Sequence, residues 1–242
     1  MNLRAALVCC VTVVLLGMFP TPARSDMTVV VPNANVSTPG ASNNGFPFNY
    51  GDMRYQQVYA GSEFGGLSGL IKQIAFRPDE YTGQAFSTTG IDTEIRFSHT
   101  SYAPQGLSAT FADNIGPDET LVFDGLLSLS SAGNNSLFDI IIDVDDAFFY
   151  DGASNLLMDI KVFNVVRTTQ FDSAGTGVGD GGLSSMDRLW AYGAGSLTGS
   201  SAGDDGYVTQ FTIGPLVPLP GAVLLGALGL SCAGWRLRRR TT

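Results

Sequence analysis

The stretch Ile91-Asp92-Thr93-Glu94-Ile95-Arg96-Phe97-Ser98 sets Ile91, Thr93, Ile95 and Phe97 against Asp92, Glu94, Arg96 and Ser98. Side chains along an extended strand point alternately to opposite faces. This stretch therefore reads as a half-buried strand with one wet face. Tyr207, Thr209, Phe211 and Ile213 alternate in the same way with Val208, Gln210 and Thr212. Outward from these two, short apolar or alternating runs recur at 53–59, 69–76, 120–123, 126–130, 137–142, 156–164 and 188–192. Gly, Asn, Asp, Ser and Pro separate them, and no long helical period interrupts them. Ile140-Ile141-Ile142 is apolar on consecutive positions, which suggests a strand covered on both faces. Nine or ten such strands with turn signals between them predict one all-β domain over 26–213. The expected form is a single antiparallel β-sandwich, jelly-roll-like. No period of 20 to 50 residues repeats, which argues against a propeller or solenoid.

The connecting segments are expected at 106–111 and 143–152, with Gly/Ser-rich loops at 173–185 and 193–206. Residues 26–51, with three Pro and five Asn, read as an extended lead-in or an edge strand. The 242 residues include 30 Gly and 11 Pro, are 44% hydrophobic and only 14% charged. That excludes a disordered acidic chain and a coiled coil.

Two terminal segments stand outside the fold. An apolar run from Ala5 to Phe19 follows Arg4, and Pro20 and Pro22 break it. Ala23 and Ser25 then place small residues where a signal peptidase reads. Residues 1–25 are thus expected to be a secretory signal peptide, cut after Ser25. At the other end, Gly221 to Trp235 carries no charge, and Arg236, Arg238, Arg239 and Arg240 follow. Residues 221–237 read as a short transmembrane helix that Pro220 can start, with Trp235 at the interface. The arginines put 238–242 on the cytoplasmic side and the domain outside. Residues 214–220 form a linker. The basic end disfavours a GPI signal, whose apolar tail would close the chain.

This tail resembles the PEP-CTERM sorting signal of Gram-negative bacteria, which has a short Pro-x-Pro motif, one membrane helix and a terminal arginine cluster. The motif here is Val217-Pro218-Leu219-Pro220, similar to the VPLP variant, with Leu219 in place of the usual Glu. The resemblance covers about the last 25 residues. It implies cleavage at the motif by an exosortase, a membrane peptidase, after the signal peptidase has acted. The precursor is then expected in the inner membrane, and the mature protein at the cell surface or outside. Delivery transfers no activity to the domain.

All 22 acidic residues lie between Asp26 and Asp205, with only Arg54, Lys72, Arg77, Arg96, Lys161, Arg167 and Arg188 among them. Seven basic against 22 acidic side chains gives the domain a formal charge of −15. Such a surface repels phosphate backbones, so no nucleic-acid partner is expected. Cys9, Cys10 and Cys232 all sit in the terminal apolar segments, so the domain holds no disulfide, thiolate nucleophile or cysteine zinc site.

Four features are candidates for chemistry or binding. Asp143, Asp145 and Asp146, with Asp151 nearby, could offer oxygen ligands to calcium, the one cofactor considered, although the spacing is not that of an EF-hand. Gly199-Ser200-Ser201-Ala202-Gly203 matches Gly-x-Ser-x-Gly. It lacks the strand before it and the helix after it that a nucleophile elbow needs. His99, the sole histidine, reads as a strand-end residue capped by a loop. Phe148-Phe149-Tyr150 is a candidate ligand-binding trio, because three consecutive aromatics in a strand cannot all face inward. Tyr50, Tyr55, Tyr59, Phe76, Tyr81, Trp190 and Tyr192 are further aromatics suited to sugar rings or to the core.

The leading expectation is a non-enzymatic exported surface or extracellular-matrix protein with polysaccharide as a partner. A carbohydrate-binding module is the alternative and predicts an exposed aromatic strip. A secreted glycoside-active hydrolase is the third reading and predicts a pocket with convergent carboxylates.

Overall fold

The computed structural model describes residues 25–164, 167–174, 185–201 and 206–216. The signal peptide, the sorting motif, the apolar tail and its arginines lie outside the described residues. In chain order the strands are β1 (Met27–Val31), β2 (Ser42–Asn44), β3 (Met53–Tyr59), β4 (Gly69–Phe76), β5 (Phe86–Thr100), β6 (Thr120–Ser131) and β7 (Ile140–Tyr150). They continue as β8 (Asn155–Val162), β9 (Phe171–Ala174), β10 (Met186–Tyr192), β11 (Ser200–Ser201), β12 (Gly206–Tyr207) and β13 (Thr209–Gly214). Three short 3-10 turns, Asn33–Asn35, Gly61–Phe64 and Phe111–Asn114, are the helical elements among the described residues.

The alternation at Ile91 is the middle of β5. Ile91, Thr93, Ile95 and Phe97 are all fully buried, while Asp92 and Ser87 face out. β5 lies between β8 and β6 in a six-stranded sheet ordered β11-β10-β3-β8-β5-β6. A four-stranded sheet is ordered β1-β13-β4-β7, and a small third sheet β12-β9-β2. The ladders are antiparallel throughout. The chain is therefore all-β and sandwich-like.

Aromatic rings join the two large sheets. Tyr59 of β3 meets Phe211 of β13 edge-on at 5.0 Å. Phe97 of β5 meets Phe148 of β7 at 5.9 Å. The small sheet lays Tyr207 against Tyr55 of one large sheet at 5.5 Å and Phe76 of the other at 4.9 Å. Each fully buried large side chain contributes about 1.5–3 kcal/mol by leaving water. A well-placed ring pair adds about 0.5–1.5 kcal/mol. Residues 101–119 cover the outer face of β3. There Gln56 Nε2 donates to the Phe111 carbonyl at 3.1 Å, and the Asn114 amide donates to Gln56 Oε1 at 3.0 Å. The Arg54 guanidinium sits 4.6 Å over the Phe111 ring and pairs with Asp159 at 2.6 Å.

The first and last strands of the domain close on each other. β1 pairs only with β13, from Met27↔Ile213 to Val31↔Thr209. Both ends of the folded domain thus leave from neighbouring strands of one sheet.

The structure corrects three expectations. Residues 143–150 are not a connecting loop, because β7 runs through them to Tyr150. Ile140-Ile141-Ile142 is not covered on both faces. β7 is an edge strand, and Ile141 is 44% exposed between its buried neighbours. The runs at 120–123 and 126–130 are one strand, β6, that passes through Gly125. The short strands β2, β9, β11 and β12 raise the number beyond ten, since two to four residues carry no readable period.

Candidate functional site

The candidate calcium group does not assemble. In β7 the register steps from Gln73↔Asp143 to Ile71↔Phe148, so Val144–Ala147 bulge out of the ladder. Asp145 and Asp146 ride on that bulge, exposed. Asp143 stays in the ladder and accepts a bond from Gln73 Nε2 at 2.7 Å. Asp151 belongs to the turn beyond. Its carboxylate accepts the Ala153 and Ser154 N–H groups at 2.8 Å each and the Ser154 hydroxyl at 2.7 Å. Burial raises the Asp151 pKa, but these bonds and the nearby His99 outweigh it and bring it down to about 2. Among the described residues no three His, Cys, Asp or Glu side chains gather to hold a metal ion.

The aromatic trio splits as strand parity requires. Phe148 and Tyr150 are buried and only Phe149, 46% exposed, faces solvent, so the three form no ligand face. His99 stacks on Tyr150 at 5.6 Å. Its Nε2 lies 3.3 Å from the Asp151 backbone nitrogen and 3.6 Å from the Asp151 carboxylate, while its Nδ1 is hydrogen-bonded to Asp118. The backbone N–H of His99 also donates to Asp118. Both ring nitrogens thus lie against neighbouring groups of the protein. Ser200 and Ser201 form β11 on the edge of β10, and residues 202–205 lie outside the described residues.

A different group of aromatics does converge. Residues 45–50 cross the end of the β3–β10 pair. Phe46 stacks on Trp190 at 4.5 Å, tilts against Tyr50 at 4.8 Å, and meets Tyr192 at 6.3 Å. Trp190 and Tyr192 share a face because they are two apart on β10, and they meet edge-on at 5.5 Å. Beneath them the Arg188 guanidinium lies 5.7 Å from the Phe46 ring centre. Tyr50 is 46% exposed and Tyr192 63% exposed.

Gln170 ties this patch to a cleft beside it. Its side-chain amide donates to Tyr50 OH at 3.4 Å, and its carbonyl accepts the Asp79 N–H at 3.0 Å. The cleft holds about 420 Å³ between Asp79-Glu80-Tyr81 and residues 38–43. Asp79 is only 5% exposed. Its Oδ1 takes three bonds from its own turn: Tyr81 N–H at 3.1 Å, Thr82 N–H at 2.7 Å and the Thr82 hydroxyl at 2.6 Å. Its Oδ2 takes none, while Tyr81 stands 86% exposed at the rim.

A buried ion pair fixes the opposite wall. Arg77 Nε meets Asp172 Oδ2 at 2.6 Å, and Arg77 Nη2 donates to the Thr38 carbonyl at 2.7 Å. Gly40 N–H donates to Asp172 Oδ1 at 2.8 Å. Burial raises the Asp172 pKa above its ordinary value, and Arg77 offsets part of that rise. A second groove, of about 650 Å³, lies on the outer face of the four-stranded sheet. Val36, Leu137, Phe138 and Ile141 give it an apolar lining.

Of the aromatics that the sequence leaves open between sugar rings and the core, Tyr50, Tyr81 and Tyr192 are exposed and Trp190 is half-buried, whereas Tyr55, Tyr59 and Phe76 are core. Phe46, Asp79 and Gln170 are not singled out by the sequence. The available signal for Asp79 is turn chemistry, Pro78-Asp79-x-x-Thr82-Gly83, in which Asp caps its own turn. No protein-family model matches this sequence, and no curated protein or solved structure matches it.

Proposed function

We propose that the chain is an exported, non-enzymatic surface or extracellular-matrix protein whose β-domain serves as an interaction module. Its C-terminal segment resembles a PEP-CTERM signal and acts as the sorting tail. The observation that carries the reading is the pairing of the domain's first and last strands, Met27↔Ile213. Cutting after Ser25, or at Val217-Pro218-Leu219-Pro220, removes residues beyond both strands and leaves every ladder of the domain closed. The precursor sits in the inner membrane through residues 221–237, and the released domain meets the cell's own polysaccharide.

We read the two large sheets as a jelly roll. The order β1-β13-β4-β7 opposite β3-β8-β5-β6 is the one that two interlocked Greek keys produce. β10 and β11 then extend one sheet at its β3 edge.

Surface labelling of intact cells tests the export. A membrane-impermeant amine reagent should modify Lys72 and Lys161 in cells that carry the sorting peptidase. Cells lacking the peptidase should retain the chain in the inner-membrane fraction. An unlabelled chain in the soluble cytoplasmic fraction of both strains would contradict the proposal.

A further inference from the structure

Two surfaces described above are joined through one residue, and together they have the chemistry of a sugar site. In the cleft a carboxylate that is 5% exposed keeps one oxygen, Asp79 Oδ2, without a hydrogen bond. That oxygen is open to solvent in the cleft, where a carboxylate acceptor can take a charge-assisted hydrogen bond from a ligand hydroxyl. Tyr81 presents an almost fully exposed ring beside it, and Asn43 on the facing wall offers an amide. A pyranose has this pairing of surfaces: hydroxyls at its edge, and a C–H face that packs on an aromatic ring. Beyond Gln170, Tyr50 and Tyr192 offer two further exposed rings. A single sugar would leave these unused, so the surface suits a chain of several.

Charge selects among glycans. The two ionisable side chains lining the cleft besides Tyr81 are Asp79 and Glu80, both acidic, and the whole domain carries a formal −15. An anionic polymer is repelled from such a face. We infer that Asp79, Tyr81 and Asn43 bind one residue of a neutral polysaccharide, and that the Tyr50–Tyr192 patch carries its continuation.

This inference rests on the proposed extracellular setting, but its test does not depend on export. The full chain, kept in mild detergent, is run in native gels containing hydroxyethylcellulose or galactomannan, both neutral, or alginate, which is anionic. At least one neutral polymer should retard it, and alginate should not. Asp79→Asn keeps an acceptor for the turn while removing the free carboxylate oxygen. Tyr81→Ala changes a side chain that packs on little. Each should weaken the apparent affinity about tenfold or more, the loss expected for a charge-assisted hydrogen bond or a stacking face. Tyr192→Ala should weaken the polymer less. Melting temperatures of the variants confirm that they fold. Retardation by neither neutral polymer, retardation by alginate alone, or retardation unchanged in both Asp79→Asn and Tyr81→Ala would overturn the inference. A chain that fails to reach the surface but is retarded in the gel overturns the export reading alone.

Discussion

Arg77 and Asp172 are 2% and 1% exposed, and each also holds the backbone of residues 38–40. Removing one partner leaves a buried charge unanswered. Asp172→Ala is expected to destabilise the domain by about 3–5 kcal/mol in urea or guanidinium unfolding. A loss below 1 kcal/mol would mean that the pair adds nothing to the cleft wall. Asp151 acts through pH instead. Its folded pKa, about 2, lies below the ordinary 3.8, so its contribution is present above about pH 4 and is lost as pH falls toward 2. The melting temperature should therefore drop over that window, and Asp151→Asn should flatten the drop. Asp172 has the opposite sign. Its raised pKa makes the fold lose stability as pH climbs from 3.8 toward the folded value. Asp172 therefore does not drive acid unfolding.

At the scale of elements, the legible strands are those with one face in the core. β3 and β4 match their sequence readings end to end, because residues from Met53 and from Gly69 supply enough apolar side chains to fix the period. β7 departs from its sequence reading in its second half. Asp143-Val144-Asp145-Asp146 has the polarity of a loop, yet an edge strand can carry it by bulging Val144–Ala147 out of the ladder, with Asp145 and Asp146 in water. The small sheet β12-β9-β2 is illegible in the sequence for another reason. Its strands are two to four residues long, and β2 pairs with a β9 that lies more than a hundred residues further along the chain. The Phe46–Trp190 contact is illegible for the same cause. Its chemistry can be read in each residue, but the meeting of the two is set by tertiary structure. One backbone position tests how the 101–119 segment is seated over β3. A side chain at Gly116 would collide with the His99 carbonyl oxygen, which is main chain and cannot rotate away. Gly116→Ala should lower the melting temperature and raise amide exchange across 101–119. Gly65→Ala meets no atom within 4 Å and carries only the strain of a φ of 58°. It should be the milder of the two.

For the whole molecule, the core carries four tyrosines among its aliphatic and phenylalanine side chains. Tyr55, Tyr59, Tyr150 and Tyr207 are fully buried, and burial pushes each hydroxyl well above its ordinary 10. A raised folded value means that their contribution is intact below about pH 10 and is lost as pH rises further. In an alkaline titration followed by tyrosinate absorbance, these four should ionise only together with unfolding. Ionisation of all eight tyrosines near pH 10 with the fold intact would contradict the packing described. The proposed export route makes a broader claim, that the terminal segments are delivery devices and the domain, whose first and last strands pair, stands without them. Intact mass spectrometry of the protein recovered outside the cell tests this most directly. The account predicts a chain that begins at Asp26 and ends within residues 217–221, and that melts as one cooperative unit. A recovered chain that keeps residues 221–242, or one that unfolds once they are removed, would contradict it.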